Sequence, residues 1–316
     1  MGNSPYSGWM MVVCNPVSGS GRGVARLAVV RRTLEKAGIS YASEITRGRG
    51  HATALAREAV LAGCDAVVGI GGDGTFHEVV NGVMGPAGTG AAVAGPRVAV
   101  GLVQAGRGSD FGRSAGVPSD LDAACARLVS GRTQVVDLGC VRYHSFRGEG
   151  RSRYFANAAG VGFDAEVTVR ANSGSRALGG TITYLGSLLV TLGTYRNKRV
   201  AMRADGGEEW TGRINSMVVA NGQYFGGGMK IAPEALLTDE RFDVVILGDL
   251  GKIDLLRNTP RVYDGSHITH PKVRTLRACR VDVTSPDRLL LQADGEVLGT
   301  APATFTVVPG ALRLIV

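Results

Sequence analysis

The chain is poor in the residues that mark disulfide-bonded, nucleic-acid-binding and membrane-spanning proteins. Its five cysteines are odd in number and lack C-x-x-C spacing, so a disulfide framework is disfavoured and a reducing cytosol is expected. Aromatic residues are only 6% of the chain, and the arginine clusters have no interleaved aromatics on which nucleic-acid bases could stack. The uncharged stretch 177–195 is broken by Gly, Thr and Ser, so it is too polar for a membrane span. No signal peptide is recognisable at the N-terminus.

The bulk composition predicts a globular protein with an affinity for anions. A chain of 316 residues with 44% hydrophobic and 20% charged residues is typical of two modest folded domains. The net charge of +8 suits a nucleotide or an acidic membrane surface, although a solvated basic surface would give the same number. We therefore expect a cytoplasmic protein with peripheral membrane contact, and self-association as a homodimer is left open.

The pattern of predicted secondary structure changes near residue 137. Before it, strand-like runs alternate with helix-like runs, which predicts a parallel α/β domain. The strands are expected at 9–14, 41–45, 67–70 and 98–103, and the helices at 24–37, 53–62 and 120–129. After it, short β-like runs surround one helical stretch, 181–195, and predict a mainly antiparallel, β-sandwich-like domain.

A glycine-rich turn follows the third predicted strand and opens a helix. It reads Gly71-Gly72-Asp73-Gly74-Thr75. Backbone N–H groups in such a turn, together with the positive end of the helix dipole, bind phosphate. The carboxylate of Asp73 would repel a bare phosphate, so a divalent cation between them is expected. The turn predicts a nucleotide-phosphate site that works with Mg²⁺.

The glycine-rich loop after the first strand is less informative. Gly19, Gly21 and Gly23 do not have the G-x-G-x-x-G spacing of a dinucleotide fingerprint, and no acidic residue follows at the end of a second strand. No G-K-[ST] follows either, so a Walker A loop is excluded. A closely packed turn is the alternative.

Three further carboxylates are candidates for a cleft that the glycine-rich turn at 71–75 would also line. Asp110 and Asp137 each follow a β-like run, as Asp73 does, and converging carboxylates can hold Mg²⁺ through water. Asp110 could instead cap a helix. Asp294, in Gln292-Ala-Asp-Gly-Glu296, could take a proton from an attacking hydroxyl, although Asp-Gly is also a common β-turn.

Taken together, ordered motifs from Val12 to Leu314 resemble the diacylglycerol kinase catalytic family, in its soluble bacterial lipid kinase branch, which is related to sphingosine and ceramide kinases. The matching segments are Asn15-Pro16-x-Ser18-Gly19, Gly50-His51-Ala52, 71–82, Asp110-Phe111, Val136-Asp137, Asn157-x-x-Gly-x-Gly162-Phe163-Asp164-Ala165, Asn221-Gly-x-x-Phe225-Gly-Gly-Gly-Met-x-Ile-Ala-Pro233, His270-Pro271-Lys272-Val273 and Asp294-Gly295-Glu296.

The resemblance implies transfer of the ATP γ-phosphate to a lipid hydroxyl, with diacylglycerol the favoured acceptor. It implies an ATP-binding domain at 10–137 with a returning tail, 302–316, and a lipid-substrate domain at 138–301. Asp294 would be the general base, with Glu296 beside it near magnesium. Asp73 would serve catalysis and, with Asp110 and Asp137, a carboxylate–water–Mg²⁺ network. The residues implied to hold the nucleotide are Asn15, Ser18, Thr46, Gly71, Gly72, Gly74, Thr75 and Arg107.

One segment departs from the family pattern. The usual Pro-x-Gly-Thr-x-Asn-Asp reads Gln104-Ala-Gly-Arg107-Gly-Ser109-Asp110, so a threonine and an asparagine are replaced and an arginine is gained. Arg107 could pair with phosphate as a planar donor or could block the site. Two alternatives follow for the function. One is a kinase for a soluble acceptor, as in NAD kinases, and the other is a nucleotide sensor without catalysis.

Overall fold

A parallel sheet flanked by helices forms the first third of the chain. The computed structural model describes residues 5–87, 97–106, 109–173 and 180–316, without the side chains of 172, 173 and 180–185. The strands are β1 (Met10–Cys14), β2 (Tyr41–Ile45), β3 (Ala66–Gly71) and β4 (Ala99–Gln104), in the order β4-β3-β1-β2 and all parallel. The helices are α1 (Arg22–Lys36), α2 (His51–Leu61), α3 (Asp73–Met84), α4 (Asp110–Ser114) and α5 (Leu121–Ser130).

The rest of the chain is rich in antiparallel strands. They are β5 (Thr133–His144), β6 (Gly150–Phe155), β7 (Ala158–Gly162), β8 (Lys198–Ala204), β9 (Glu209–Ile214), β10 (Ser216–Ala220), β11 (Phe242–Leu247), β12 (Val273–Ala278), β13 (Arg280–Thr284), β14 (Leu290–Ala293) and β15 (Glu296–Ile315). Three helices accompany them: α6 (Phe163–Ser173), α7 (Gly180–Thr194) and α8 (Lys252–Asp264). No helix in the described ranges is long and apolar enough to cross a membrane.

The 20-residue strand β15 joins the two parts. Its first half pairs with β14 and β13, and its end runs parallel to β4, with Arg313 opposite Ala99 and Leu314 opposite Val100. It also pairs with β5 along most of its length. The C-terminal residues therefore return to the first sheet, although the domain bounds themselves stay a prediction.

Buried apolar side chains cover both faces of the parallel sheet, as a sheet with helices on either side requires. One cluster packs α2 and α3 against one face, and another packs α1 and α5 against the other. A separate core fills the β-rich part, where Phe155 stacks on Phe242 and meets Phe305 edge to face. Each part thus has its own hydrophobic core.

The structure corrects the expectation of a single helix in the second part. The helix expected at 181–195 is present as α7, but α6 and α8 also form. Helix α8 carries Pro260 in its interior, which usually argues against a helix, and its neighbours are mostly polar. Helix α6 starts directly at the end of β7, so no turn residues in the sequence indicate the start of a helix there.

A glycine on α3 allows close approach of α2. An added Cβ at Gly82 would lie 2.5 Å from the carbonyl oxygen of Thr53 and 2.6 Å from the Cβ of Ala56. Gly82→Ala should therefore destabilise the fold by about 1–3 kcal/mol through overpacking, although alanine is the better helix former. Gly186→Ala on α7 is the matched control, because that position faces open space, and about 0.5–1 kcal/mol of stabilisation is expected. Urea unfolding of both variants measures the difference, and equal effects would contradict the packing argument.

Candidate active site between the two domains

Three loops meet at the carboxyl ends of β1, β3 and β4. The N–H of Asn15 donates to the carbonyl of Ile70 at 3.0 Å, and the N–H of Ala105 donates to that of Gly71 at 2.9 Å. An added Cβ at Gly106 would lie 3.7 Å from the Cα of Gly72, so these backbones nearly touch. Open parallel sheets bind ligands at this edge, where helix N-termini converge.

The predicted nucleotide residues of these loops contact one another. The Nδ2 of Asn15 donates to the hydroxyl of Thr75 at 3.1 Å, and the Thr75 side chain fills the space that a Cβ at Gly71 would need. The hydroxyl of Ser18 lies 4.0 Å from the Cβ position of Gly72. Helix α3 begins at Asp73 beside them, with Gly72 as its cap and no side-chain cap hydrogen bond, and a Cβ at Gly74 would meet nothing within 4 Å. The loop can therefore accept a phosphate closely.

Two other predicted nucleotide residues are less closely tied to this cradle. Thr46 follows β2, and its N–H donates to the carbonyl of Cys14 at the end of β1, at 2.8 Å. Arg107 lies outside the described residues, so its role stays a prediction.

The half-buried Asp73 and the buried Asp110 lie side by side at the glycine-rich turn. The carboxylate of Asp73 accepts from the N–H groups of Asp110 and Phe111 at 3.1 and 3.0 Å. Burial raises the pKa of Asp73 despite these hydrogen bonds. Burial and the neighbouring charge of Asp73 raise the pKa of Asp110 to about 7. Two carboxylates that repel each other beside a phosphate cradle are a setting that a divalent cation would relieve.

Asp110 also connects the domains. Its Oδ2 accepts from the N–H of Gly227 at 2.7 Å, in a glycine-rich loop of the second domain. It is the first residue of α4 rather than its cap, which is Ser109. The helix-cap alternative for Asp110 is therefore wrong.

Asp294 lies in a tight turn and also faces the first domain. Asp294 and Gly295 have φ of 46° and 78° and form the two-residue loop between β14 and β15, as Asp-Gly commonly does. The Asp294 carboxylate accepts from three consecutive N–H groups at 2.8–3.1 Å and from His77 Nδ1 at 3.0 Å. The three N–H donors are those of Ala156, Asn157 and Ala158. The Asp-Gly pair is therefore a turn, and the same turn places the Asp294 carboxylate against His77 of the first domain.

Glu296 is surrounded by cationic groups. Arg49 and Arg153 contact its two carboxylate oxygens at 2.8 and 3.0 Å, and the Nε2 of His77 is 3.2 Å away. Burial alone would raise the pKa of Glu296, but His77, Arg153 and Arg49 outweigh it and lower the pKa to about 2. Glu296 therefore stays ionised across the physiological range.

His77 is a functional candidate that the sequence reasoning missed. It is buried on α3, one helical turn after Asp73, and touches both Asp294 and Glu296. Burial would lower its pKa, but the hydrogen bonds to those two carboxylates prevail and raise it. When the ring is neutral with the proton on Nδ1, Nε2 can accept from Arg153 Nε at 3.1 Å; when protonated, it donates to Glu296. Its place in the motif at 71–82, at the spacing that shares a helix face with Asp73, was the available signal.

Asp137 has partners elsewhere. Its carboxylate oxygens accept from the N–H groups of Gly310 and Glu240 at 2.7 and 2.8 Å, and Glu240 has φ of 60°. Asp137 therefore holds an irregular connection next to β15, and a part in the metal network stays a prediction. Within the described ranges, no three His, Cys, Asp or Glu side chains form a metal cluster. Magnesium commonly takes one or two carboxylates and completes its shell with phosphate and water, so Asp73 and Asp110 fit it.

An apolar cleft lies on the second domain beneath α8. It holds about 780 Å³ of empty space, part of it open to solvent. Its lining includes Phe163 and Val167 of α6, Val218 of β10, Leu255 and Val262 of α8, and the buried carboxylate of Asp164. The mostly apolar lining suits an apolar ligand.

Comparisons with known proteins match both domains. The family described as "Diacylglycerol kinase catalytic domain" matches residues 9–141, and "YegS C-terminal NAD kinase beta sandwich-like domain" matches residues 157–316. A diacylglycerol kinase of Bacillus subtilis (strain 168) is 30% identical over 295 residues, which cover 93% of this chain and 91% of that protein. One from Mycobacterium tuberculosis (strain ATCC 25618 / H37Rv) is 30% identical over 310 residues, covering 98% and 95%.

Solved structures agree on the fold. A diacylglycerol kinase from Bacillus anthracis str. Sterne superposes with a TM-score of 0.71 at 18% identity, covering 98% of this chain and 97% of that one. An NAD kinase from Archaeoglobus fulgidus superposes with a TM-score of 0.53 at 12% identity, covering 97% and 93%. The predicted fold class, an α/β domain with a β-sandwich-like second domain, is thus confirmed.

The two family matches, one over the parallel α/β part and one over the β-rich part, define the class as a two-domain kinase. The chain belongs to the diacylglycerol kinase family, as its relatives and both domain matches show.

The charged cluster around His77 should make stability depend on pH. The pKa of Glu296 is below its ordinary 4.5, so its contribution is present above pH 4.5 and is lost as the pH falls towards 2. The pKa of His77 is above its ordinary 6.5, so its contribution is present below pH 6.5 and is lost as the pH rises through the raised value. The free energy of unfolding lost in Glu296→Gln should therefore be largest between pH 4.5 and 6.5.

Urea unfolding across pH 3–9 would measure this. Glu149→Gln is the control, because Glu149 pairs with Arg151 on an exposed hairpin and such pairs contribute little. A loss in Glu296→Gln that does not vary with pH would contradict the coupling to His77.

Proposed function

We propose that this chain transfers the γ-phosphoryl group of ATP to the hydroxyl of a lipid, with diacylglycerol the favoured acceptor and phosphatidic acid the product. The observation that carries the proposal is a pair of contacts between the two parts: His77 of α3 meets Asp294 at 3.0 Å, and Asp110 accepts from the N–H of Gly227 at 2.7 Å, both beside the loop at 71–75. The diacylglycerol kinase names of the relatives support the acceptor.

Two separate parts of the molecule suit the two substrates. The loops around Gly72 and Thr75 would take the phosphates, and the distantly similar NAD kinase was solved in complex with ATP. Magnesium bound at Asp73 and Asp110 would neutralise charge on the phosphates. The apolar cleft lined by Phe163 and Leu255 would take an acyl chain.

The reaction needs a place for one proton. The acceptor oxygen forms a bond to the γ-phosphorus, the bond from that phosphorus to the β-phosphate oxygen breaks, and ADP leaves. Asp294 would take the hydroxyl proton. Its carboxylate already accepts from four donors, so the substrate hydroxyl must displace one of them. His77 is the donor that belongs to the other domain, so domain separation would release it without disturbing the turn.

Asp294→Asn tests the general base. The amide keeps the shape but cannot take a proton, so kcat should fall by about 10²–10⁴-fold while ATP binding is retained. The matched control is Asp205→Asn. Asp205 also sits at positive φ before a glycine and accepts from two N–H groups, but it holds the β8–β9 turn.

The assay uses γ-labelled ATP, Mg²⁺ and a total lipid extract in mixed micelles, resolved by thin-layer chromatography. A labelled band that co-migrates with phosphatidic acid is expected. Label on added NAD and none on lipid would overturn the acceptor, and full activity in Asp294→Asn would overturn the base. ATP binding with no transfer to any acceptor would replace the kinase with a nucleotide sensor.

A further inference from the structure

Helix α8 presents apolar side chains on two opposite faces. The described structure buries none of its residues fully. Its inner side contributes Leu255 and Val262 to the apolar cleft. Its outer side exposes Ile253, Leu256 and Tyr263 by 65%, 51% and 53%, at the spacing of one helix face. A helix that needed only to cover the cleft would carry polar residues on that outer face.

Helix α7, which lines the same cleft, also exposes apolar side chains. Leu189 and Val190 are about half exposed, while Leu188 lines the same cleft as Leu255. The end of α7 and the start of α8 are tied together, because Lys252 Nζ donates to the carbonyl of Gly193 at 2.5 Å. We call the exposed residues of these two helices the docking face: Leu189, Val190, Ile253, Leu256 and Tyr263.

Basic side chains border the docking face. A second cleft of about 540 Å³ opens where the two helices meet, and Arg196, Arg213 and Lys252 line it with no acidic side chain among its lining residues. Arg257 is exposed next to Leu256 on α8. Asp254 contacts Lys272, and Asp249 contacts Arg213. Asp264, next to Tyr263, is exposed and accepts from the N–H of Ser266 at 2.8 Å, but the exposed cations Arg196, Lys252 and Arg257 outnumber it. The border is therefore a cationic surface suited to phosphate groups.

We propose that the docking face inserts into the headgroup region of an anionic lipid bilayer. Apolar side chains on a helix surface and basic residues beside them are the two features that bind a helix to such an interface. Because α8 separates the docking face from the apolar cleft, docking would place the cleft next to the lipid phase. The purpose of docking rests on the proposed lipid acceptor, but docking itself can be measured without turnover.

A second copy of the chain is the other occupant to consider. Two such faces would bring their basic borders together, in a protein whose net charge is already +8. Like charges across an interface oppose association. An anionic bilayer suits both the apolar docking face and its basic border, so the charge argument favours a bilayer over a second copy.

The test compares vesicle binding by full-length variants. Ile253→Gln/Leu256→Gln removes apolar surface without adding charge, and Arg257→Gln removes one cation. Leu61→Gln is the matched control, because Leu61 is 67% exposed at the end of α2 in the other domain. Co-sedimentation is measured with vesicles of phosphatidylcholine with and without phosphatidylglycerol, and turnover is measured on a dispersed short-chain diacylglycerol.

The native protein and Leu61→Gln should bind the phosphatidylglycerol vesicles equally. Binding should weaken by about 10-fold or more in the double variant and by about 5-fold in Arg257→Gln. Unchanged vesicle binding in the double variant would overturn the docking face. A shift of its elution volume in gel filtration, with vesicle binding retained, would assign the face to self-association instead. If the substitutions weaken vesicle binding but the protein phosphorylates no lipid, the docking-face proposal stands and the proposed lipid kinase activity is rejected.

Discussion

The pairing of β15 with strands of both domains is the constraint on which the active site depends. One end of this strand continues from the Asp294 turn, and the other lies parallel to β4 at the edge of the nucleotide-binding sheet. Because its hydrogen bonds set its register on both parts, with shifts at two points along the strand, β15 brings Asp294 and Glu296 next to α3. The two carboxylates proposed for catalysis are therefore brought to the first domain by the same strand that joins the sheets.

The carboxylates of Asp294 and Glu296 have different kinds of hydrogen-bond partner. Asp294 is bound mostly by backbone N–H groups, which fix its orientation, whereas Glu296 is bound by cationic side chains, which fix its charge. His77 touches both, so its proton can be shared between an orienting and a charge-neutralising role.

Sequence reasoning could predict much of this, and its failures have physical causes. Glycine residues after an apolar run located the turn between β3 and α3 because both the turn and the helix start have local signatures. Asp137 illustrates the limit: it follows a strand as Asp73 does, but its carboxylate serves the backbone of Gly310, which lies far along the chain. His77 was overlooked because a histidine within a helical period is indistinguishable from a packed core residue until its partners from residues 294–296 are known. Helix α8 was missed because Pro260 is tolerated at this position, where the helix is half-exposed and tertiary packing decides.

A short polar path connects the apolar cleft to the Asp294 turn. Asp164, at the wall of the cleft, accepts from Gln292 Nε2 at 3.0 Å, and the Oε1 of Gln292 accepts from the N–H of Gly295 at 2.9 Å. The Asp164 carboxylate is fully buried, and burial raises its pKa even though Ser216 and Gln292 donate to it. Since a buried carboxylate without partners is costly, Asp164 and Gln292 must keep this arrangement together. The wall of the cleft and the turn that carries Asp294 therefore form one hydrogen-bonded unit, so an acyl chain packed against the first would be positioned relative to the second by the fold itself.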